Sequence, residues 1–218
     1  MKKVLLAGLL LLSFMFQAQT YKFGVTGAVN RGSIVGVHGV SEPKWGGMVG
    51  AFANFSIVEN DVFDSAWLYF QPQLEFSKQG EKGAWDDDME DGYESYDMGY
   101  IAVPLYLKYF FHKGNMKRDF FVFAGPKFEF LVYSKTKEGT AAAEAASYGY
   151  DPARFGLEQK FSNFGFGLSL GAGLKISDKG EVFLRYDRGL SKVYPDYNLY
   201  TTYNRFIALG FNYYFKEN

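Results

Sequence analysis

The sequence predicts an all-β fold, namely an eight-stranded antiparallel transmembrane β-barrel. Two patterns lead to this prediction: apolar residues alternate with small or polar residues in eight segments, and the links between these segments alternate in length. Composition agrees with it, because the chain of 218 residues contains 25 Gly, 23 Phe and 17 Tyr. Phe and Tyr are enriched in strands, and residues that favour helices are sparse in this chain.

Alternation is clearest at residues 163–176, where Phe164, Leu168 and Leu174 alternate with glycine, serine or lysine. Successive side chains of a strand point to opposite faces, so this segment predicts a strand with one apolar face and one small or polar face. Seven further segments show the same pattern: residues 21–30, 47–57, 66–78, 98–111, 119–133, 181–189 and 207–215.

The faces opposite the apolar ones carry polar residues and charges of both signs. They include Gln71, Gln73, Glu75, Lys108, Lys127, Glu129, Lys175, Arg185 and Asp187. An eight-stranded barrel has room only for side chains, so paired charges fill such a lumen and do not line a water channel. The residues that we expect to meet there are Glu75, Lys127, Glu129, Lys175, Arg185 and Asp187.

The links between the strands alternate in length. Links after odd-numbered strands are long and cover residues 31–46, 79–97, 134–162 and 190–203, whereas the other links are short and cover residues 58–65, 112–118 and 177–180. Long loops at one end and short turns at the other are typical of an outer-membrane barrel with both termini in the periplasm.

Aromatic residues near the strand ends suit the interfacial girdles of such a barrel: Trp67, Tyr69, Tyr109, Phe110, Tyr133, Tyr213 and Tyr214. Pro72, Pro104 and Pro126 lie inside predicted strands, where we expect bulges or kinks.

The first 19 residues have the pattern of a cleaved secretory signal peptide. Lys2 and Lys3 precede an apolar run over residues 4–16, and residues 17–19 form a small and polar exit. The run is too short for a transmembrane helix, which needs about 20 apolar residues, and no later segment supplies one. We therefore expect residues 1–19 to be removed and residues 20–218 to form the exported barrel domain.

A soluble eight-stranded cup of lipocalin type remains an alternative, because alternation alone does not say which face points inward. Three features favour the membrane barrel. Glycine and charges of both signs share one face, the links separate by length, and the chain contains no Cys for disulfides.

Four strings resemble the PorT-like outer-membrane β-barrel family of Bacteroidetes. Residues 71–80, QPQLEFSKQG, are similar to its PEL-Y-S-KG segment, and residues 101–110, IAVPLYLKYF, to its IPL-LKYYF strand. Residues 122–126, VFAGP, are similar to its AGP strand, and residues 186–190, YDRGL, to its Y-GL strand end. The resemblance implies an outer-membrane barrel of Gram-negative bacteria that tolerates the three prolines. The family includes a protein needed for type IX secretion and gliding, and no catalytic residues carry over.

Composition argues against several classes of function. The absence of Cys excludes thiolate metal sites and thiol nucleophiles, and 23 Lys and Arg against 24 Asp and Glu provide no basic field for nucleic acid. Only His38 and His112 are available for general-base catalysis, and they belong to links at opposite ends of the barrel. A hydrolytic site of His38 with Ser33, Ser41 or Glu42 is the remaining enzymatic reading. We expect no enzyme activity and no cofactor.

The second long loop is acidic. Its carboxylates are Asp86, Asp87, Asp88, Glu90, Asp91 and Glu94. Oxygen ligands at this density could hold Ca²⁺, but their spacing does not fit an EF-hand, and we favour a solvated loop.

We expect a structural or interaction role that supports an envelope or secretion assembly, with outer-membrane lipid and envelope proteins as partners. A narrow channel or a small-ligand-binding barrel is the alternative.

Overall fold

A computed structural model describes residues 21–36, 40–60, 65–84, 94–112, 118–137, 161–195 and 201–215. They contain eight strands: β1 (Tyr21–Val35), β2 (Val40–Asn60), β3 (Ser65–Ala84), β4 (Glu94–Phe110), β5 (Asp119–Lys137), β6 (Phe164–Ser177), β7 (Gly180–Gly189) and β8 (Tyr203–Tyr214). Each strand pairs antiparallel with its neighbours in sequence, and β1 pairs with β8, so the sheet closes into a barrel. None of the described residues forms a helix long and apolar enough to cross a bilayer. The predicted eight-stranded antiparallel barrel is confirmed.

The apolar faces of the strands point outward. Leu74, Leu170 and Leu209 are 57%, 63% and 60% exposed, whereas Glu75 and Arg185 on the opposite faces are 2% and 1% exposed. A cup that is soluble in water needs the reverse arrangement, with polar residues outside. The lipocalin alternative is therefore wrong, and the outer surface is the apolar band expected of a barrel in lipid.

The strands extend beyond the predicted boundaries at one end. We call this the loop end, where the links after β1, β3, β5 and β7 lie; the opposite end, with the other links, is the turn end. The link predicted at residues 31–46 shrinks to residues 36–39, and Gly36 begins it with a φ of 93°. The prediction stopped where apolar alternation stopped, but the β-ladder continues through polar residues such as Lys82, which pairs with Ser95.

The wall of the barrel is taller on one side. Strands β2 to β5 have 21, 20, 17 and 19 residues, whereas β6, β7 and β8 have 14, 10 and 12. On β3, the exposed apolar residues end at Phe76, and the strand continues to Ala84. Eight further residues correspond to about 26 Å of strand. This tall side projects from the apolar band at the loop end.

The bulges expected at Pro72, Pro104 and Pro126 are absent. The ladder skips pairs beside each proline, yet the register does not change: Pro72 pairs with Leu105, and three residues later Glu75 pairs with Ala102. A proline cannot donate to the ladder, but the closed sheet holds the register on both sides of it. The described irregularities lie elsewhere, for example between Gly99 and Tyr100 and between Lys175 and Ser177.

Candidate functional site

The lumen contains the predicted charge cluster. The Arg185 guanidinium of β7 donates to both carboxylate oxygens of Glu75 on β3, at 3.0 Å each, and its Nη1 also donates to the Tyr106 hydroxyl at 2.7 Å. The Arg185 Nη2 lies 2.9 Å from Asp187 Oδ2. Side chains of Arg185 and Glu75 are 1% and 0% exposed, so this ion pair is sealed from solvent.

A second cation extends the cluster toward the loop end. Lys127 Nζ lies 2.8 Å from Glu129 and 3.3 Å from Asp187, and 4.3 Å from the centre of the Phe206 ring. Glu129 also accepts a hydrogen bond of 2.9 Å from the Gln79 side chain. Five of the six residues expected to meet in the lumen therefore form one network, which we call the central cluster: Glu75, Lys127, Glu129, Arg185 and Asp187.

Lys175 was wrongly assigned to this cluster. Its Nζ lies 3.9 Å from Asp178 at the turn end, and Asp178 is 79% exposed. Strand β6 sends only glycine and serine into the middle of the lumen, because rings from β5 occupy that space. A Cβ at Gly171 would lie 2.2 Å from the Phe123 ring, and one at Gly173 would lie 2.4 Å from the Phe121 ring.

A separate polar network, which sequence reasoning missed, fills the turn end of the lumen. Lys108 pairs with Glu181 at 2.5 Å and donates to the Tyr214 hydroxyl at 2.9 Å. Tyr214 in turn donates to Glu181 at 2.9 Å and accepts from Asn54 at 2.7 Å. Asn212 donates to Glu181 at 3.0 Å. We call these five residues the turn-end cluster.

The prediction of the aromatic girdle was only partly correct. Tyr109, Tyr133 and Tyr213 are exposed on the outer surface, at 37% to 41%. Three of the residues assigned to the girdle point inward and are buried: Tyr69, Phe110 and Tyr214. The alternation of side chains within each strand could have predicted which rings point inward. Tyr214, for example, lies on the same face as the polar residue Asn212.

The loop end of the lumen is closed by residues 190–195. Val193 and Tyr194 are 6% and 1% exposed and pack with Ile34, Met98 and Tyr100 of the barrel wall. Hydrogen bonds hold the segment down: Ser162 N donates to the Val193 carbonyl at 2.7 Å, and Tyr194 N donates to the Thr202 hydroxyl at 3.0 Å. Three spaces within the described lumen have volumes of about 30, 10 and 20 Å³. Each has room for at most one or two water molecules.

An ion pair ties three strands together on the tall side. Asp97 of β4 lies 2.9 Å from Lys44 of β2 and 3.4 Å from Lys78 of β3, beyond the apolar band. Partial burial of Asp97 acts to raise its pKa, but the hydrogen bonds and positive charges of Lys44 and Lys78 outweigh burial and hold the pKa below its usual value. This carboxylate therefore stays charged at neutral pH.

No hydrolytic site is assembled by the described residues. His38 lies outside them, Ser33 is buried and accepts from Arg205 Nε at 3.4 Å, and Glu42 is exposed. His112 lies at the turn end, where its ring and its backbone N–H contact Asp119 at 3.1 and 3.0 Å. The acidic residues 86–91 also lie outside the described part of the chain, and the part described contains no group of three or more metal-ligating side chains.

A closed β-barrel with an apolar outer band and a polar, packed lumen defines an integral outer-membrane protein. The sequence model of one family, described as the outer membrane protein beta-barrel domain, matches residues 17–195. The chain belongs to this outer-membrane family.

Solved barrels from three sources are similar to the chain. The attachment invasion locus protein Ail of Yersinia pestis, solved with the heparin analogue sucrose octasulfate, matches with 10% identity and a TM-score of 0.44, over 89% of this chain and 99% of that one. Neisserial surface protein A matches with 9% identity and a TM-score of 0.44, over 88% and 97%. OprG of Pseudomonas aeruginosa matches with 11% identity and a TM-score of 0.45, over 90% and 94%. No curated protein matches the chain.

Proposed function

We propose that this outer-membrane barrel has a structural or interaction role and works neither as a channel nor as an enzyme. The observation that carries the proposal is the filled lumen. Two ionic networks occupy it, the segment at residues 190–195 covers its loop end, and the three spaces between the described residues have room for only a few water molecules. A continuous water path needs a lumen that side chains leave open, which larger barrels provide.

The tall side of the barrel is the surface we propose for partners. Strands β2 to β5 project beyond the apolar band and carry exposed residues such as Lys82 and Lys137, so they present a rigid sheet outside the membrane. A sheet held by ladders on both sides positions a partner more accurately than a loop does. The PorT-like resemblance supports the finer proposal that the partner belongs to an envelope or secretion assembly, reached after export by a cleaved signal peptide.

Planar-bilayer recording tests the first part. We expect the purified barrel to give no discrete conductance steps, under conditions in which a reference porin inserted by the same procedure does. Reproducible unitary steps from the folded barrel would contradict the proposal and favour a narrow channel.

Site-directed photocrosslinking in intact cells tests the second part. A crosslinking residue at Lys82, on the tall side, is expected to yield a discrete adduct with one envelope protein. The same residue at the exposed Lys179, at the turn end, is the matched control. Equal adducts from both positions, or none from Lys82, would overturn the assignment of the tall side as an interaction surface.

A further inference from the structure

Three arginines form a cluster on the outer surface of three adjacent strands. Arg188 of β7 lies directly opposite Arg205 of β8, and Arg205 lies opposite Ser33 of β1. Arg31 is two residues from Ser33 along β1. All three arginines are exposed and face the outside of the barrel.

No carboxylate among the described residues neutralises these three guanidiniums. Arg31 lies 5.7 Å from the Trp45 ring centre, Arg188 lies 4.9 Å from the Tyr203 ring centre, and Arg205 Nε donates to Ser33. Like charges directly opposite each other on a sheet destabilise it. Lysines on the neighbouring strands β2 and β3 are different, because Lys44 and Lys78 share the carboxylate of Asp97. The arginine cluster is therefore a concentrated positive charge that no carboxylate in the described part of the chain balances.

The cluster marks the edge of the apolar band at the loop end. Each arginine is the next residue on its outer face after an exposed apolar or aromatic residue: Val29 on β1, Tyr186 on β7 and Ile207 on β8. Trp45, on β2, is 67% exposed at the same edge. Aromatic rings and long basic side chains occupy such edges at the level of lipid headgroups.

A groove on the outer wall begins at Arg31 and Arg205, beside Arg188, and continues into the band. Its volume is about 550 Å³, and Arg31 and Arg205 line it together with Val29, Ile207 and Leu209. The last three are 54%, 55% and 60% exposed. One end of the groove is thus cationic and lies at the headgroup level, and the other end is apolar and lies against lipid chains.

We infer that this groove binds a phosphorylated lipid of the outer leaflet, with its phosphate on Arg31, Arg188 and Arg205 and an acyl chain along Val29, Ile207 and Leu209. Guanidinium groups bind phosphate oxygens through paired, charge-assisted hydrogen bonds, and the phosphate relieves the repulsion between the facing arginines. The apolar end of the groove excludes a free phosphate ion as the complete ligand.

Binding of bisphosphorylated lipid A to the full barrel in a zwitterionic detergent, followed by native mass spectrometry, tests the inference. We expect the triple variant R31Q/R188Q/R205Q to bind at least tenfold more weakly than the wild type. The charge-matched control R118Q/K137Q/K179Q changes three exposed cations elsewhere and is expected to bind like the wild type. Heat-dependent gel mobility verifies that each variant is folded, and R188Q alone replaces the triple variant if the latter does not fold.

Two further arms separate the sources of binding. Lipid A without its phosphates is expected to bind at least tenfold more weakly than the bisphosphorylated form, and inorganic phosphate at millimolar concentration is expected not to displace the lipid. Equal binding of both lipids, equal binding by the triple variant, or displacement by inorganic phosphate would each overturn the inference.

Discussion

Arg185 and Glu75 face each other across the lumen and are joined by two parallel N–H···O hydrogen bonds of 3.0 Å each. They belong to β7 and β3, which are four strands apart in a ring of eight and so lie on opposite walls of the barrel. The pair therefore connects two opposite walls of the barrel directly.

Loss of Arg185 is expected to destabilise the barrel strongly. The variant Arg185→Met leaves the Glu75 carboxylate buried without its cation, and removal of one partner of a buried ion pair costs about 3–5 kcal/mol. The double variant Arg185→Met with Glu75→Gln is expected to recover part of this loss, because it removes both charges. Urea unfolding in lipid vesicles, followed by gel mobility, measures the difference.

The exposed pair of Lys175 and Asp178 serves as the control for that experiment. Asp178→Asn removes an ion pair of 3.9 Å in which the carboxylate is 79% exposed, so the free energy of unfolding is expected to stay unchanged. A loss as large as that of Arg185→Met would show that burial is not the reason for the effect.

The Tyr214 hydroxyl is expected to stabilise the turn end of the barrel. Tyr214→Phe removes one donor to Glu181 and one acceptor for Asn54 and Lys108, and it costs about 1–3 kcal/mol. Tyr213→Phe is the matched control, since this neighbouring hydroxyl lies on the outer surface and is expected to contribute little. The same unfolding assay compares the two, and equal losses would contradict the turn-end cluster.

Gly125 is expected to be required where β4 and β5 approach each other beside Pro126. A Cβ at this position would lie 1.9 Å from the Leu105 carbonyl oxygen, so Gly125→Ala forces the backbones apart. We expect a loss of about 1–3 kcal/mol. Gly27→Ala is the control, because its nearest neighbour lies 3.9 Å from the added Cβ. Thermal gel-shift midpoints distinguish them, and a smaller effect at Gly125 than at Gly27 would refute the close approach.

Acid is expected to weaken the ion pair of the tall side. The pKa of Asp97 is lowered in the folded barrel, so its contribution to stability is present above the unfolded value of 3.8 and is lost as the pH falls through the lower, folded value. Asp97→Asn is therefore expected to be less stable than the wild type at pH 7, and this difference is expected to shrink as the pH falls below 3.8. A difference that is constant with pH would contradict the ion pair.

The alternation of the strands predicted which residues face lipid and which face the lumen. Leu168 and Leu174 point outward as expected, and so do Phe164, Leu170 and Ile176 of β6. Contacts across the lumen were harder to predict, because they depend on the stagger of the strands, which alternation does not determine. Lys175 illustrates this limit. Its strand face was predicted correctly, but its position along the barrel axis was not, because it lies at the turn end.

The outer groove could not be found from the sequence for a related reason. Arg31 lay in a predicted loop, since the apolar alternation of β1 ends at Val29. Only the register between β1 and β8 places Arg31 beside Arg205. Arg31 and Arg205 are 174 residues apart in the chain, and no local sequence pattern relates residues at that separation.

The position of the counter-charges along the chain has a consequence for membrane insertion. Strand β7 carries Glu181, Arg185 and Asp187, which pair with Lys108, Glu75 and Lys127 of β4, β3 and β5. An insertion intermediate that contains only the first six strands therefore has an acid and two lysines without these partners. Arrival of the last hairpin supplies a counter-charge to Glu75 and to Lys108, and a second carboxylate to Lys127, which already pairs with Glu129. The barrel is therefore expected to assemble in an all-or-none step in which strand closure and charge pairing coincide.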